Sequence, residues 1–428
     1  MRGLAAILDR RLRRQAAAPI AVALSGGGDS LALLLAAKTW ADANGRSILV
    51  LTVDHRLNPA SAGWTERCRA TAARLGVAFR ALCWEGDKPV AGLPAAARAA
   101  RHALLADAAR AAGARVILMG HTADDLVEAA AMRAQGSTVS DPVEWSPSPA
   151  WPEGRGIFLL RPMLGLSRTD IRDWLRAKGE TWIDDPANED PRFARTRARR
   201  LVSSPAGRGG PRGAWWSGLS SGALEAADPT STPTLPPPCT EPSPPRSAWS
   251  PSPVWGGLAL STSAPARLVA VACLCAAGTS RPPRGNRLDR LAARLQSGEA
   301  FTATLAGARI RSDGTTALYI RDTGRDGLPT QRLASGQTAV WDGRFEVSAD
   351  HPVTLAPLAG HAARLPKVER AALRAIPALA RPSLPVVLAP DGGVSCPILA
   401  QAPSVRVRAL ALTRFEAAAG FIDSEPAV

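Results

Sequence analysis

The run Ser25-Gly26-Gly27-Gly28-Asp29-Ser30 separates an apolar stretch at 20–24 from a helix-like stretch at 31–40. A strand that passes through three glycines into a helix start makes a phosphate cradle. Without Cβ atoms the backbone approaches an anion closely, and the helix N-terminus aims unpaired N–H groups and its positive dipole end at it. Ser30 adds a hydroxyl and is expected to cap the helix. Two other phosphate loops are excluded by the residues themselves. No Lys-Ser or Lys-Thr follows the glycines, as a Walker A loop requires, and Leu31 stands where GxGxxG needs its last glycine. A glycine triplet alone would be an ordinary strand-to-helix turn; the flanking serines and Asp29 point to anion binding.

From about 18 to 200, short apolar runs alternate with helical patterns, which predicts an α/β fold with a parallel, doubly wound sheet. Strands are expected at 20–24, 48–53, 77–84, 116–119 and 157–160. Helices are expected at 31–40, 61–75, 94–112, 123–134 and 167–178, the last capped by Ser167 and stopped by Gly179. Ligands of such sheets bind beyond the carboxyl ends of the strands. There lie the glycine loop, Asp54-His55, Gly120-His121-Thr122-Ala123-Asp124-Asp125 and Arg161-Pro162. Packing alone does not require polar residues at those points.

Composition divides the rest. Residues 203–265 are dominated by Pro, Ser and Gly, with Trp215, Trp216, Trp249 and Trp255 scattered without period, and read as a disordered insertion. Residues 266–330 read as a small α+β module with a helix at 287–296, and 331–428 as a β-rich C-terminal module. Asp313-Gly314, Asp342-Gly343 and Asp391-Gly392 sit between apolar or alternating runs, the strongest short hairpin signal.

With 428 residues, 46% of them hydrophobic, the chain has ample material for a core, which excludes wholesale disorder. Its net charge of +15 predicts a polyanionic partner, nucleic acid first. Only Lys38, Lys88, Lys178 and Lys367 among the 52 basic residues are lysines, so part of the arginine enrichment reflects codon bias; the excess over 37 acids remains. The six cysteines, Cys68, Cys83, Cys239, Cys273, Cys275 and Cys396, form no CxxC pair and fit neither a zinc site nor a secreted disulfide framework. No apolar run reaches the roughly 18 residues of a membrane span, and 16–24 leads straight into the glycine loop rather than a cleavage site. No membrane association and a cytoplasmic location are expected.

The motifs, taken in order, resemble the tRNA(Ile)-lysidine synthetase family of N-type ATP pyrophosphatases. The family's DHxLR reads Asp54-His55-Arg56-Leu57-Asn58 here, matching except at its end, and its GHxxDDQxET reads GHTADDLVEAA, keeping Gly120, His121, Asp124, Asp125 and Glu128. Further matches are Ala97-Arg98 with Arg101-His102, Arg161-Pro162-Met163-Leu164, and Trp182-Ile183-Asp184-Asp185-Pro186-Ala187-Asn188-Glu189-Asp190 with Arg192, Phe193, Arg195 and Arg197. The resemblance covers 1–202 closely, as a PP-loop catalytic domain, and resumes loosely from about 268. Leu126 and Ala129 depart from the family's Gln and Thr.

The resemblance implies a ligase of two steps. ATP adenylates the wobble cytidine of a CAU-anticodon isoleucine tRNA, releasing pyrophosphate; the amine of L-lysine then displaces AMP to give lysidine. Ser25, Gly26, Gly27, Gly28, Asp29 and Ser30 would hold ATP phosphates, with Asp54, His55, Gly120 and His121 around the nucleotide. Asp29 would ligate Mg²⁺. Asp29, Asp125 and Glu128 are the catalytic candidates, the last two spaced to share one helix face and receive the lysine ammonium. Arg98, Arg101, Arg161, Asn188, Arg192, Arg195 and Arg197 would contact the tRNA substrate.

Plainer readings stand beside these. Aspartates at a helix start are favoured by the dipole whatever the function, a histidine after a strand is as often core as ligand, and an arginine run is usually a solvated face. Other activities remain open at this point: another PP-loop enzyme such as a tRNA thiolase, or a catalytically impaired tRNA-binding homologue. Oligomeric state is open too, a homodimer being one arrangement.

Overall fold

The computed structural model describes residues 3–137, 141–184, 249–250, 255–283, 286–389, 392–400 and 403–427. Strands β1 (Ile20–Ala23), β2 (Ile48–Asp54), β3 (Ala78–Cys83), β4 (Val116–Leu118) and β6 (Phe158–Leu160) run parallel in the order β3-β2-β1-β4-β6. An edge strand, β5 (Trp145–Pro147), pairs antiparallel with β6. The sheet is wound in both directions from β1 and β4, so a crevice opens where their carboxyl ends part.

The central strands are continuous apolar runs because both faces are covered. Ile20 and Val22 face a layer made by α1 (Leu4–Arg11), α2 (Gly28–Ala43), α3 (Ser61–Arg74) and α6 (Arg168–Ala177). Ala21 faces α4 (Leu93–Ala111), whose Leu105, Ala106 and Ala109 pack on Leu49, Leu51 and Ile117. Helix α5 (Ala123–Ala134) follows β4.

Two differences from expectation have local causes. Helix α2 begins at Gly28 rather than 31, because Gly27 takes the extended N-cap conformation and the next glycine enters the first turn. Strand β5 was not anticipated. Its Trp-Ser-Pro sequence resembles the Ser-Pro stretch further on, and proline is tolerated in a strand at an edge.

After the first unit the chain forms an antiparallel sheet from β7 (Trp249–Ser250), β8 (Leu258–Ser261), β9 (Ala300–Leu305), β10 (Ala308–Asp313) and β11 (Thr316–Arg321), in the order β7-β8-β11-β10-β9. Helices α7 (Ala266–Ala277) and α8 (Arg287–Gln296) pack on it. Strand β8 lies inside the 203–265 stretch that composition assigned to a disordered insertion. Leu258 and Leu260 are buried against β11, so the insertion ends earlier than expected; residues 203–248 and 251–254 lie outside the described residues.

Two further sheets follow. One orders β12 (Gln331–Leu333), β15 (Val353–Pro357), β16 (Pro385–Leu388) and β17 (Val394–Ser395); the other orders β13 (Thr338–Trp341), β14 (Phe345–Ala349) and β18 (Val405–Ala409). They share a core with α9 (Lys367–Leu373). Asp313-Gly314 joins β10 to β11, and Asp342-Gly343, both at positive φ, form the turn between β13 and β14, with Arg344 as the third residue of the loop. Asp391 of the third pair lies outside the described residues.

The last helix, α10 (Ala411–Ala419), leaves this module and puts Phe415 and Ala419 into the core of the middle sheet. The tail beyond it reaches the first unit. Trp145 donates to the Ile422 carbonyl (2.8 Å), and Glu425 forms a bidentate pair with the Arg46 guanidinium (both contacts 2.9 Å), whose side chain is wholly buried. Among the described residues no helix is long and apolar enough to cross a membrane.

Candidate functional site

The glycine loop follows β1, where Leu24 still donates to the Leu51 carbonyl. Gly26 has φ +85°, a backbone conformation that L side chains rarely adopt, and a Cβ there would push on Ile183 Cδ1, 2.5 Å away. Ser30 does not cap α2. Its hydroxyl donates to the Gly27 carbonyl (2.9 Å) and accepts from the Ser25 amide (3.2 Å), closing the loop across its base. Among the described residues no side chain caps α2 at Gly27, as an anion site at its first turn requires.

Neighbouring segments shape the cradle. A Cβ on Gly120 would come within 3.1 Å of the Ser30 backbone, so glycine lets the loop after β4 pass closely against the start of α2. Trp182 lies over Gly28, and the Ile183 amide donates to the Gly26 carbonyl (2.9 Å). The tryptophan and isoleucine of the Trp182-Ile183-Asp184 motif are therefore the wall of the glycine loop.

Asp29, Asp125 and Glu128 converge, and what joins them is Arg168, a residue the sequence reading did not single out. Its Nε donates to Asp29 (3.1 Å), one terminal nitrogen donates to Glu128 (3.1 Å), and the other lies 3.6 Å from Asp125. Asp125 and Glu128 are buried, and Asp29 is partly exposed. Burial pushes the Asp29 carboxyl above its ordinary pKa despite Arg168. Burial alone would lower the basicity of Arg168, but Asp29, Glu128 and Asp125 together raise it. A usable signal was present: an arginine in the first turn of a helix opposes the dipole, so a counter-charge is expected nearby.

Asp124 and Asp125 also serve the architecture. Asp125 Oδ2 accepts from the Thr122 amide (2.7 Å), completing a capping box on α5. Asp124 accepts from the Arg168 amide (2.7 Å) and so caps α6 together with Ser167, whose hydroxyl accepts from Asp170. The helix-start reading and the chemical reading of these aspartates hold at once, because Asp125 Oδ1 still faces Arg168.

Beside β2, Asp54 accepts from the Arg56 amide (2.7 Å) in a tight turn. His55 meets Trp84 edge-on at 6.0 Å, and Lys88 lies over the same indole. Burial, then Arg101, hold His55 below its ordinary pKa and hence neutral. His121 is half-buried at the start of the loop before α5.

The arginines divide. Arg98 and Arg101 lie on α4 with His102 between their electrostatic fields. His102 is buried, neither ring nitrogen has a hydrogen-bond partner among the described residues, and burial with Arg101, Arg98 and Arg161 lowers its pKa to about 3. Arg161 is buried and donates to the Val143 carbonyl (2.8 Å) and Ser146 (3.1 Å), so it braces the edge strand; burial and Arg98 lower its pKa to about 10. Asn188, Arg192, Arg195 and Arg197 lie outside the described residues.

A parallel sheet with a glycine-rich anion cradle at its switch point is the architecture of a PP-loop domain, and a family model of that description matches residues 4–205. The likeness extends well past this domain. The tRNA(Ile)-lysidine synthase of Caulobacter vibrioides is 48% identical over 430 residues, covering 98% of each chain. That of Rhizobium meliloti is 36% identical over 350 residues, covering 79% of this chain and 75% of the relative. That of Hyphomonas neptunium is 36% identical over 369 residues, covering 81% and 92%. The chain belongs to the tRNA(Ile)-lysidine synthase family.

Proposed function

We propose that this chain is the ligase that joins L-lysine to the wobble cytidine of a CAU-anticodon isoleucine tRNA, through an adenylated cytidine, with release of pyrophosphate and AMP. The observation that carries the reading is the meeting of Asp29, at the uncapped start of α2, with Asp125 and Glu128, at the start of α5. Phosphate chemistry and amine chemistry need to lie side by side, and these are the two kinds of group that the crevice brings together.

The amides of the glycine loop hold the phosphates of ATP and stabilise the charge that builds on pyrophosphate as it leaves. The neutral His55, Trp84 and Asp54 offer the nucleoside a ring face and polar edges. Asp29 suits a Mg²⁺ ion, which keeps most of its ligands as water and phosphate oxygens and takes few from protein; such an ion offsets phosphate charge. Asp125 and Glu128 receive the lysine ammonium and take up the proton its amine must lose. Arg98, Arg101, Asn188, Arg192, Arg195 and Arg197 contact the RNA. The excess of basic residues supports an RNA partner, and a cytoplasmic location is part of the same reading.

Mass spectrometry of the product nucleoside tests it. Lysine carbon and nitrogen in the modified cytidine support the ligase; sulfur there would show a thiolase, and unmodified RNA bound without ATP consumption would show a binding protein.

A further inference from the structure

Residues 180–184 form a strap that supports the glycine loop from outside. At one end Arg74 of α3 grips Glu180 with two hydrogen bonds (3.0 and 2.7 Å); at the other Arg172 of α6 donates to Asp184 (3.2 Å). Trp182 donates to the same carboxylate (3.2 Å), and the guanidinium groups of Arg172 and Arg176 each lie 5.8 Å from its ring. A cleft of about 570 Å³ separates the strap from α3, so its middle packs on the loop and α6. Three consecutive glycines have wide backbone freedom, and the Ser30 hydroxyl ties only the base of their loop. The strap ties the rest. The Ile183 amide donates to the Gly26 carbonyl (2.9 Å), Ile183 Cδ1 stands 2.5 Å from where a Gly26 Cβ would be, and Trp182 is in contact range of Gly28. A trans peptide points its C=O and N–H in opposite directions, so holding the Gly26 carbonyl on the strap turns the Gly27 N–H away from it. A flip of that peptide, which two adjacent glycines permit, would put a carbonyl where the donor stands.

We propose that Trp182 and Ile183 are positioning residues for ATP: the strap keeps the Gly26–Gly27 peptide turned with its N–H toward the phosphates, so the loop meets the nucleotide already in shape. The ordering of the glycines is then complete before ATP arrives and does not weaken its binding. Without the strap the loop divides its time between competent and flipped forms, and the apparent affinity falls by the competent fraction. Bound ATP selects the competent form, so turnover at saturation changes little. Neither residue acts as an acid, a base or a ligand of lysine. This rests on the reading of the glycine loop as the ATP phosphate site.

The experiment is calorimetric titration of the full chain with Mg²⁺ and α,β-methylene-ATP, whose α–β bridge is carbon, for wild type, Ile183→Ala, Ile183→Val and Trp182→Ala. Steady-state pyrophosphate release against ATP follows on the same proteins. Both alanine variants should bind the analogue about tenfold more weakly and show a KM for ATP raised as much, with kcat within about threefold. Ile183→Val, which keeps a branched side chain against Gly26, should stay within about threefold of wild type throughout. A residue that only supports the fold would lower the melting temperature without moving KM for ATP apart from kcat. Analogue binding within about threefold of wild type in both alanine variants, or a fall in kcat at unchanged KM, overturns the proposal. Hydrogen exchange on wild type serves where the variants do not fold: the Ile183 amide should be protected before nucleotide is added, and protection that appears only with the analogue overturns the preformed strap. Wild type that binds no analogue takes the phosphate-site reading and the proposal down together; wild type that binds it while the alanine variants bind it equally well sinks the proposal alone.

Discussion

Replacing Glu425 with alanine should release the C-terminal tail from the first unit without unfolding the protein. Glu425 accepts from both terminal nitrogens of Arg46 at 2.9 Å and from the Arg13 amide at 2.9 Å, at a place where the Arg46 side chain is wholly buried. Removing one partner of a buried ion pair costs about 3–5 kcal/mol, because the other charge stays buried uncompensated. That figure holds only if nothing moves. Here the tail is the end of the chain, held besides by Glu425 N–H to the Arg11 carbonyl (2.8 Å), Trp145 to the Ile422 carbonyl and Arg11 to the Asp423 carbonyl. At about 1 kcal/mol each, those bonds are too weak to keep an unpaired guanidinium dry. The tail opens, water reaches Arg46, and the loss is capped by the free energy of docking. Native-state hydrogen exchange should then show the Glu425-position and Arg13 amides losing about 100-fold of protection, the equivalent of roughly 3 kcal/mol, with the exchange of β1 and β4 unchanged. The Arg46→Met/Glu425→Leu pair, which removes both charges, should recover most of it. Protection at those amides within threefold of wild type in Glu425→Ala would refute the reasoning.

Further predictions follow from the crevice and its surroundings. Gly26→Ala forces a positive φ on alanine and drives its Cβ into Ile183, so ATP-dependent pyrophosphate release should fall at least about tenfold while circular dichroism stays that of wild type. Glu128→Gln keeps the shape but removes the proton acceptor; lysidine formation should drop about 100-fold or more, while the first turnover of pyrophosphate release should change much less, which a single-turnover assay of both products reads directly. His102 has a folded pKa of about 3 against 6.5 for the free side chain. The unfolded chain therefore binds a proton that the folded one refuses, and this contribution to stability is present above pH 6.5 and lost as pH falls toward 3. Each unit below 6.5 costs about 1.4 kcal/mol, so the melting-temperature gap between wild type and His102→Asn should shift steadily against wild type from pH 6.5 to 5; a constant gap contradicts the buried neutral histidine.

The strands and helices of the first unit were legible because β1 and β4 are unbroken apolar runs, β2 is apolar but for Thr52 and its final Asp54, and α5 and α6 carry their own start signals in Thr122 and Ser167. The glycine loop was legible for the same local reason. Arg168 was not, since its three carboxylate partners lie 40 to 139 residues away in sequence and nothing periodic links them. The tail was hidden more completely. Arg46 and Glu425 are separated by 379 residues, and each alone reads as a surface charge. Strand β8 was masked by the composition around it: four residues of strand, flanked by Gly256-Gly257 and a Ser-Pro-rich stretch, carry too little pattern to stand out. The loop also turned out to serve packing, with Ile183 filling the space that Gly26 leaves and Trp182 in contact range of Gly28. A motif read for its phosphate chemistry alone misses that second constraint.

The central claim is that one crevice couples phosphate release to an amine acceptor on a particular RNA. Its most direct test is pyrophosphate release by the purified protein with Mg-ATP and L-lysine, with and without unmodified CAU-anticodon isoleucine tRNA, following lysine incorporation in the same reaction. The structure predicts release that depends on this tRNA and matches lysine incorporation one to one. Release that ignores the tRNA, or tight tRNA binding with no release, would contradict it.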